Sequence, residues 1–161
     1  MDKVFLYSDG SARGNPGPGG YGTILKFTDG NGVLHEKEFT EGFRLTTNNR
    51  MELLGVITGL EALKYPCEVC VISDSKYVVD AFEQKWVDSW LKNNFRTAAK
   101  KPVKNQDLWK RLLEAKKIHT VKFQWVKGHA GHPENERCDE LATTSADGDD
   151  LPEDTGFDGN G

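Results

Sequence analysis

Four acidic residues, widely separated in the sequence, could bring their carboxylates to one reaction centre. Asp9 follows an apolar run at residues 4–7, and Asp74 follows another at residues 69–73. Both runs predict strands, and α/β proteins bind ligands at the carboxyl ends of strands. Converging carboxylates must take up protons or a hard cation. Mg²⁺ accepts carboxylate oxygens and keeps positions for phosphate oxygens, so the pattern suits phosphodiester chemistry.

Each acid also has an ordinary structural explanation. Asp9 precedes a glycine and Asp74 lies between two serines, which is common turn or cap chemistry. Glu52 comes three residues after Asn49, the spacing of a helix capping box. Asp139 lies in an acidic segment that could be a solvated helix face. Spacing alone leaves both interpretations open.

A histidine between glycines offers a group for proton transfer. His129 lies in a Gly-His-Ala-Gly segment, and near the carboxylates it could accept a proton from an attacking water or assist product departure. A structural histidine is the alternative. His132, next to Pro133, is expected at the start of a helix. Ser73 and Ser75 lack the Gly-x-Ser-x-Gly turn of a nucleophilic serine, which disfavours a serine hydrolase.

Basic and aromatic residues are interleaved at residues 85–104. The segment has six basic residues against one acid, with Trp86, Trp90 and Phe95 among them. This pattern favours a nucleic-acid contact over a solvated helix face, because exposed rings can pack on bases or sugars. Residues 146–161 instead contain six acids and no Lys or Arg. We therefore expect one domain at residues 1–145 and an acidic, disordered tail at residues 146–161.

Composition limits the protein class. The chain has 161 residues, 37% of them hydrophobic and 29% charged, which favours one globular domain over disorder. No stretch approaches the roughly 20 apolar residues of a spanning helix. The odd number of cysteines, three, disfavours a secreted disulfide framework. No secretory signal is apparent, so we expect a cytoplasmic protein without membrane contact.

Hydrophobic periodicity predicts an α/β fold. Three antiparallel strands come first, with a Gly/Pro loop at residues 11–20, and helices then alternate with further strands. The predicted strands lie at residues 4–7, 21–27, a third run through Phe39 and Phe43, 69–72 and 121–125, and the predicted helices at 49–64, 76–82, 86–91, 106–116 and 133–144.

Several motifs, in a fixed order, resemble the type I ribonuclease H family and in particular bacterial ribonuclease HI. The resemblance covers about residues 4–145. It depends on YSDGS at 7–11, GNPGPGGYG at 14–22, TTNNRMEL at 46–53, SDS at 73–75, KPVKN at 101–105, WVKGHAGH at 125–132 and ERCDELA at 136–142.

The resemblance implies a five-stranded mixed sheet with helices packed on both faces. It also implies an endoribonuclease in which Asp9, Glu52, Asp74 and Asp139 ligate two Mg²⁺ ions, with Mn²⁺ a possible substitute. The substrate would be the RNA strand of an RNA/DNA hybrid. One ion would activate water and the other would stabilise the leaving 3′ oxygen, giving a 5′-phosphate and a 3′-hydroxyl. His129 would move the proton.

The same resemblance implies a substrate surface. Asn15, Asn48 and Asn49 would line the minor groove of the hybrid, where the 2′-hydroxyl distinguishes RNA from DNA without regard to base, and Thr47 would lie near a DNA phosphate. Sequence specificity should be slight. The segment at residues 86–104 corresponds to a basic protrusion, although residues 91–96 have fewer bases than expected. The remaining predicted substrate-binding residues are Arg50, Lys76, Trp86, Trp90, Lys92, Arg96, Lys100, Lys101 and Lys104.

Two other functions stay open at this point. A catalytically silent module of the same fold would bind hybrids without turnover, whereas a DNA nuclease or transferase would act on duplex DNA. The full set of carboxylates favours the enzyme over the silent module. We expect a monomer.

Overall fold

One five-stranded sheet forms the centre of the protein. The structure, a computed structural model, describes residues 2–128 and 131–159. The strands are β1 (Asp2–Ala12), β2 (Gly17–Thr28), β3 (Leu34–Thr46), β4 (Cys67–Ser73) and β5 (Thr120–Trp125). Their order is β3-β2-β1-β4-β5. β1, β2 and β3 are antiparallel, whereas β4 is parallel to both β1 and β5. This confirms the predicted mixed sheet.

Helices cover both faces of the sheet, as predicted. They are α1 (Asn48–Ala62), α2 (Lys76–Glu83), α3 (Trp86–Lys92), α4 (Gln106–Lys116) and α5 (Pro133–Ala146). α1 packs on β1 and β2 and is itself covered by α4, while α5 packs across β1, β2 and β3. Within the described ranges, no helix is both long and apolar enough to cross a membrane.

The main hydrophobic core lies between the sheet and α1. Leu6 of β1 and Leu53, Ile57 and Leu60 of α1 are at most 1% exposed. Trp109 of α4 closes the far side of the same core and is fully buried. Burying such side chains contributes about 1.5–3 kcal/mol each, so α1 is held firmly on the sheet.

Glycines allow α5 to approach the other face closely. A Cβ atom on Gly22 would lie 2.3 Å from the carbonyl oxygen of Cys138 in α5, and one on Gly20 would lie 2.6 Å from that of Ala142. The glycine-rich stretch at residues 11–20, which the sequence predicted to be a loop, is partly strand. Its Gly20 pairs with Ser11 across the β1–β2 ladder. The connection between β1 and β2 consists of residues 13–16 and is shorter than the predicted loop.

The segment after α5 contacts the domain. The backbone N–H of Arg44 donates to the carbonyl oxygen of Pro152 at 2.8 Å. Asp154, only 8% exposed, pairs with the Arg50 guanidinium at 2.7 Å and accepts a hydrogen bond from Thr46 at 2.7 Å. These contacts differ from the disordered tail predicted for residues 146–161. The acidic composition indicated solvation, but it gave no sign that a buried cation would hold this segment.

Candidate active site

Two aspartates come directly after the last paired residues of two adjacent parallel strands. Ser8 of β1 pairs with Ser73 of β4, so Asp9 and Asp74 come next on neighbouring strands at the same edge of the sheet. The N–H of Gly10 donates to Asp9 Oδ1 at 2.9 Å. The indole Nε1 of Trp125 donates to the backbone oxygen of Asp74 at 3.0 Å. The sheet therefore brings together the two acids that the sequence singled out.

The third carboxylate comes from α1, and it does not belong to a capping box. Thr47 is the N-cap, since its hydroxyl accepts a hydrogen bond from the N–H of Arg50 at 3.3 Å. The helix therefore begins before Asn49, and Glu52 lies beyond the capping position. A Cβ atom on Gly10 would lie 2.5 Å from the backbone nitrogen of Glu52. The glycine thus allows α1 to bring Glu52 against β1, next to Asp9.

The three side chains form one cluster. A ligand oxygen from each of Asp9, Glu52 and Asp74 lies within 4.8 Å of the others. The carboxyl groups of Asp9 and Glu52 lie close enough for each to influence the pKa of the other. Glu52 Oε2 is buried and has no hydrogen-bond partner among residues 2–128 and 131–159. A buried, unpaired carboxylate oxygen is costly unless a ligand satisfies it.

Burial and mutual repulsion favour the protonated forms of these acids. Desolvation, followed by the charge of Asp74, raises the pKa of Asp9 from 3.8 to about 7. Desolvation also raises the pKa of the Glu52 carboxyl well above its usual value, and the charges of Asp9 and Asp74 add to the rise. Without a cation, the cluster therefore retains protons near neutral pH.

Asp139 approaches the cluster from the opposite face of the sheet. It lies in α5 and lines a pocket of about 60 Å³ together with Asp9 and Asp74. Its charge also contributes to the raised pKa of Asp9. Asp139, the fourth predicted acid, therefore borders the same pocket. Among the described residues, the cluster of converging carboxylates consists of Asp9, Glu52 and Asp74.

The donor set fits a hard divalent cation. Its ligands are carboxylate oxygens, the type that Mg²⁺ prefers, and the unpaired Glu52 Oε2 offers a free acceptor position. A cation would offset the repulsion that, together with burial, raises the pKa of Asp9 and Glu52. The pocket also contains one lysine, Lys127.

The predicted groove residues form a linked patch. Asn48 Oδ1 accepts a hydrogen bond from the N–H of Ala12 at 2.6 Å, and Asn15 Oδ1 accepts one from the N–H of Asn48 at 3.2 Å. Asn15 and Asn48 are exposed, and Asn49 is half-buried. The β1–β2 connection is thereby fixed against the start of α1, beside Asp9.

Thr47 and Arg50 lie deeper than a substrate-binding role requires. Thr47 is 3% exposed and caps α1, so it offers little surface to a DNA phosphate. Arg50 is 1% exposed, and its guanidinium pairs with Asp107 and Asp154, each at 2.7 Å. The donors of the Arg50 side chain are already used by Asp107, Asp154 and Asn105. This speaks against its predicted substrate contact, which stays a prediction.

The basic protrusion presents most of its predicted side chains to solvent. Trp86 is 44% exposed. Trp90 instead packs edge-on against Trp109, with ring centroids 5.1 Å apart, and is half-buried. It anchors α3 to the core, and its predicted contact with substrate stays a prediction. The predicted basic residues on this segment are all exposed: Lys92, Arg96, Lys100, Lys101 and Lys104.

Two predicted residues flank the pocket. The Lys76 ammonium lies 4.9 Å from the ring centroid of Trp125, beside the backbone of Asp74. His132 lines the pocket and precedes α5 at its N-cap, as expected. His129 lies outside the described residues, and its role stays a prediction. Asn135, which the sequence did not single out, also lines the pocket.

Comparison with known proteins agrees with this geometry. The RNase H family model matches residues 1–147. A ribonuclease H from Lachnoclostridium phytofermentans is 60% identical over 153 residues, covering 94% of this chain and 97% of that protein. One from Enterobacter sp. is 56% identical over 155 residues, covering 96% of each chain.

Solved structures extend the similarity to the fold. LC9-RNase H1, described as a type 1 RNase H with the type 2 active-site motif, aligns with a TM-score of 0.81 and 32% identity, covering 91% of this chain and 72% of that one. LC11-RNase H1, solved in complex with an RNA/DNA hybrid, aligns with a TM-score of 0.63 and 26% identity, covering 89% and 96%.

Proposed function

The chain belongs to the ribonuclease H family, and from this premise we propose that it is an endonuclease that hydrolyses the RNA strand of RNA/DNA hybrids with the aid of divalent cations. The strongest support for the proposal is the convergence of three acidic side chains. The carboxylates of Asp9, Glu52 and Asp74 converge within 4.8 Å in a chain that matches the family model over residues 1–147. A relative solved with an RNA/DNA hybrid supports the substrate class.

Asp9, Glu52, Asp74 and Asp139 would hold two Mg²⁺ ions, and Mn²⁺ could replace them. When bound, such ions supply Lewis acidity, which lowers the pKa of a water nucleophile and stabilises the departing 3′ oxygen. The four acids would contribute their negative charge and would hold the ions in position. Because the pKa values of Asp9 and Glu52 are raised, protons must leave before both carboxylates can act as ligands, so metal binding should strengthen as pH rises. The products would be a 5′-phosphate and a 3′-hydroxyl.

Selectivity for the hybrid would arise beside the acids. Asn15, Asn48 and Asn49 lie next to the end of β1, where amide groups can contact the 2′-hydroxyl without reading the base. The exposed bases of the protrusion would hold phosphates. Cleavage should therefore show little sequence preference.

His129 would handle protons at its imidazole, either accepting one from the attacking water or assisting product departure. We expect His129→Ala to lower turnover by about 10²-fold while Mg²⁺ affinity is retained. An unchanged rate would instead make His129 a structural residue.

The experiment that tests the function is a digestion with strand-specific labels. An RNA/DNA hybrid, an RNA duplex and a DNA duplex are each incubated with Mg²⁺ or with chelator, and Asp9→Asn serves as the control. We expect nicks only in the RNA strand of the hybrid, only with Mg²⁺, with 3′ ends that a DNA polymerase extends. Hybrid binding without nicks would indicate a silent binding module. Equal cutting of the DNA duplex would indicate a DNA nuclease.

The proposed enzyme is a cytoplasmic monomer with a catalytic domain at residues 1–145. Light scattering after size-exclusion chromatography tests the monomer, for which we expect a mass near 18.0 kDa. A mass of twice that value would contradict it.

A further inference from the structure

Asn135 belongs to the acidic pocket, although it is neither charged nor among the four predicted acids. It is the third residue of α5, which begins at Pro133. It lines the pocket of about 60 Å³ together with Asp9, Asp74 and Asp139. An amide at this position has both a donor and an acceptor to place.

The donor is already used within the fold. Asn135 Nδ2 lies 3.3 Å from the backbone oxygen of Ile72 in β4, two residues before Asp74. A carbonyl oxygen can only accept a hydrogen bond, so this hydrogen bond fixes which end of the amide is nitrogen. The bond also ties the first turn of α5 to the strand that leads to Asp74.

The acceptor has no such partner. Asn135 Oδ1 is buried and unpaired among the residues that the structure describes. A buried acceptor without a donor costs about 1–3 kcal/mol. When the neighbouring acids hold a cation they are ionised, and an ionised carboxylate only accepts hydrogen bonds. Asn135 Oδ1 is therefore left to accept a hydrogen bond from a molecule in the pocket.

We propose that Asn135 is a positioning residue whose Oδ1 accepts a hydrogen bond from a water molecule bound to the divalent cation. Mg²⁺ gives up its waters reluctantly and usually keeps several, and each directs its hydrogens away from the ion. An acceptor anchored to β4 would fix one of these waters relative to Asp9 and Asp74. The inference rests on the proposed function, since it needs the cation that the acids would hold.

The test measures cation binding to substrate-free protein. Mg²⁺ is titrated calorimetrically into the full chain, its Asn135→Ala and Asn135→Asp variants, and Asn31→Ala, which makes the same truncation in the exposed β2–β3 turn. The alanine variant lacks both donor and acceptor. The aspartate variant keeps an acceptor but cannot donate to Ile72. Thermal melting in chelator records whether each variant folds.

We expect Asn135→Ala to weaken Mg²⁺ binding about tenfold, Asn135→Asp to bind at least as tightly as the wild type, and Asn31→Ala to be unchanged. An equal loss of affinity in both Asn135 variants would overturn the proposal, because it would assign the effect to the missing hydrogen bond to Ile72. Unchanged affinity in Asn135→Ala would overturn it as well, even if added charge strengthened binding in Asn135→Asp. Should Asn135→Ala fail to fold, weaker Mg²⁺ binding in Asn135→Asp than in the wild type would by itself overturn the proposal.

Failure of the proposed function gives a different result. In that case the wild type itself would bind no Mg²⁺ or leave the RNA strand of a hybrid intact. Failure of this inference alone would leave wild-type binding and cleavage in place and change only the ranking of the Asn135 variants.

Discussion

Asp9→Asn should make the cation-free protein more stable while abolishing its activity. Asp9, Glu52 and Asp74 place three carboxyl groups within 4.8 Å of one another. Folding brings them together against their repulsion and away from water, and this raises the pKa of Asp9 from 3.8 to about 7. An asparagine keeps the shape of the side chain but removes its charge. The substitution should therefore remove an unfavourable contribution to the free energy of folding, which arises because the acids are placed together to bind metal.

The magnitude follows from the pKa of Asp9. A carboxyl whose pKa is raised by folding binds more protons in the native state, so its contribution destabilises the fold increasingly as pH rises from about 4 to about 7. Each pH unit between 3.8 and about 7 is worth about 1.4 kcal/mol, which gives at most about 4 kcal/mol. Because the raised pKa of Asp9 depends partly on the charges of neighbouring acids, we expect Asp9→Asn to recover about half, ~2 kcal/mol, above about pH 7.

Urea unfolding in chelator measures the difference. Wild type and Asp9→Asn are compared at about pH 4 and about pH 8, and Asp149→Asn removes an exposed acid of the tail as the control. We expect the gain of Asp9→Asn to be near zero at the lower pH and ~2 kcal/mol at the higher one, with the control within about 0.5 kcal/mol. A variant less stable than wild type at about pH 8, or an equal gain at both pH values, would refute this reasoning.

Three further substitutions test the supporting structure. Arg50→Ala leaves the buried carboxylate of Asp154, in the C-terminal segment, without its cation. We expect a decrease of about 3–5 kcal/mol in the free energy of unfolding by urea. Wild-type stability would contradict the role given to this ion pair. Gly22→Val should lower the same free energy by about 1–3 kcal/mol, because even a Cβ there would lie 2.3 Å from an α5 carbonyl oxygen, and unchanged hydrogen exchange in α5 would count against it. Joint replacement of Lys100, Lys101 and Lys104 by alanine should weaken hybrid binding and reduce its salt slope by about 1 for each phosphate that is no longer neutralised, with kcat retained. A salt slope equal to that of the wild type would place the hybrid elsewhere.

Local patterns were sufficient to predict the framework. The apolar alternation of Val121, Phe123 and Trp125 predicted β5, and a change of period after residue 49 predicted α1. The glycine-rich stretch at residues 11–20 was partly misassigned, because glycine in a strand usually marks a break. Here the reason for glycine is the packing of another element, α5 against Gly20 and Gly22, which local composition does not show.

The site was predictable to the extent that its residues share one recognisable chemistry. The order of motifs led to Asp9, Glu52 and Asp74, and the structure brings these three together. The ion pairs of Arg50 were not predicted, because its partners lie more than 50 residues away in the sequence. Asn135 was missed because an amide in an acidic helix carries no signal of its own. Both depend on tertiary contacts that sequence spacing cannot specify.

The central claim is that Asp9, Glu52 and Asp74 form a single metal centre. Calorimetric titration of Mg²⁺ into wild type, Asp9→Asn, Glu52→Gln and Asp74→Asn tests it most directly. We expect each substitution to weaken Mg²⁺ binding by at least about tenfold while the protein remains folded. Wild-type affinity in any one of the three folded variants would contradict it.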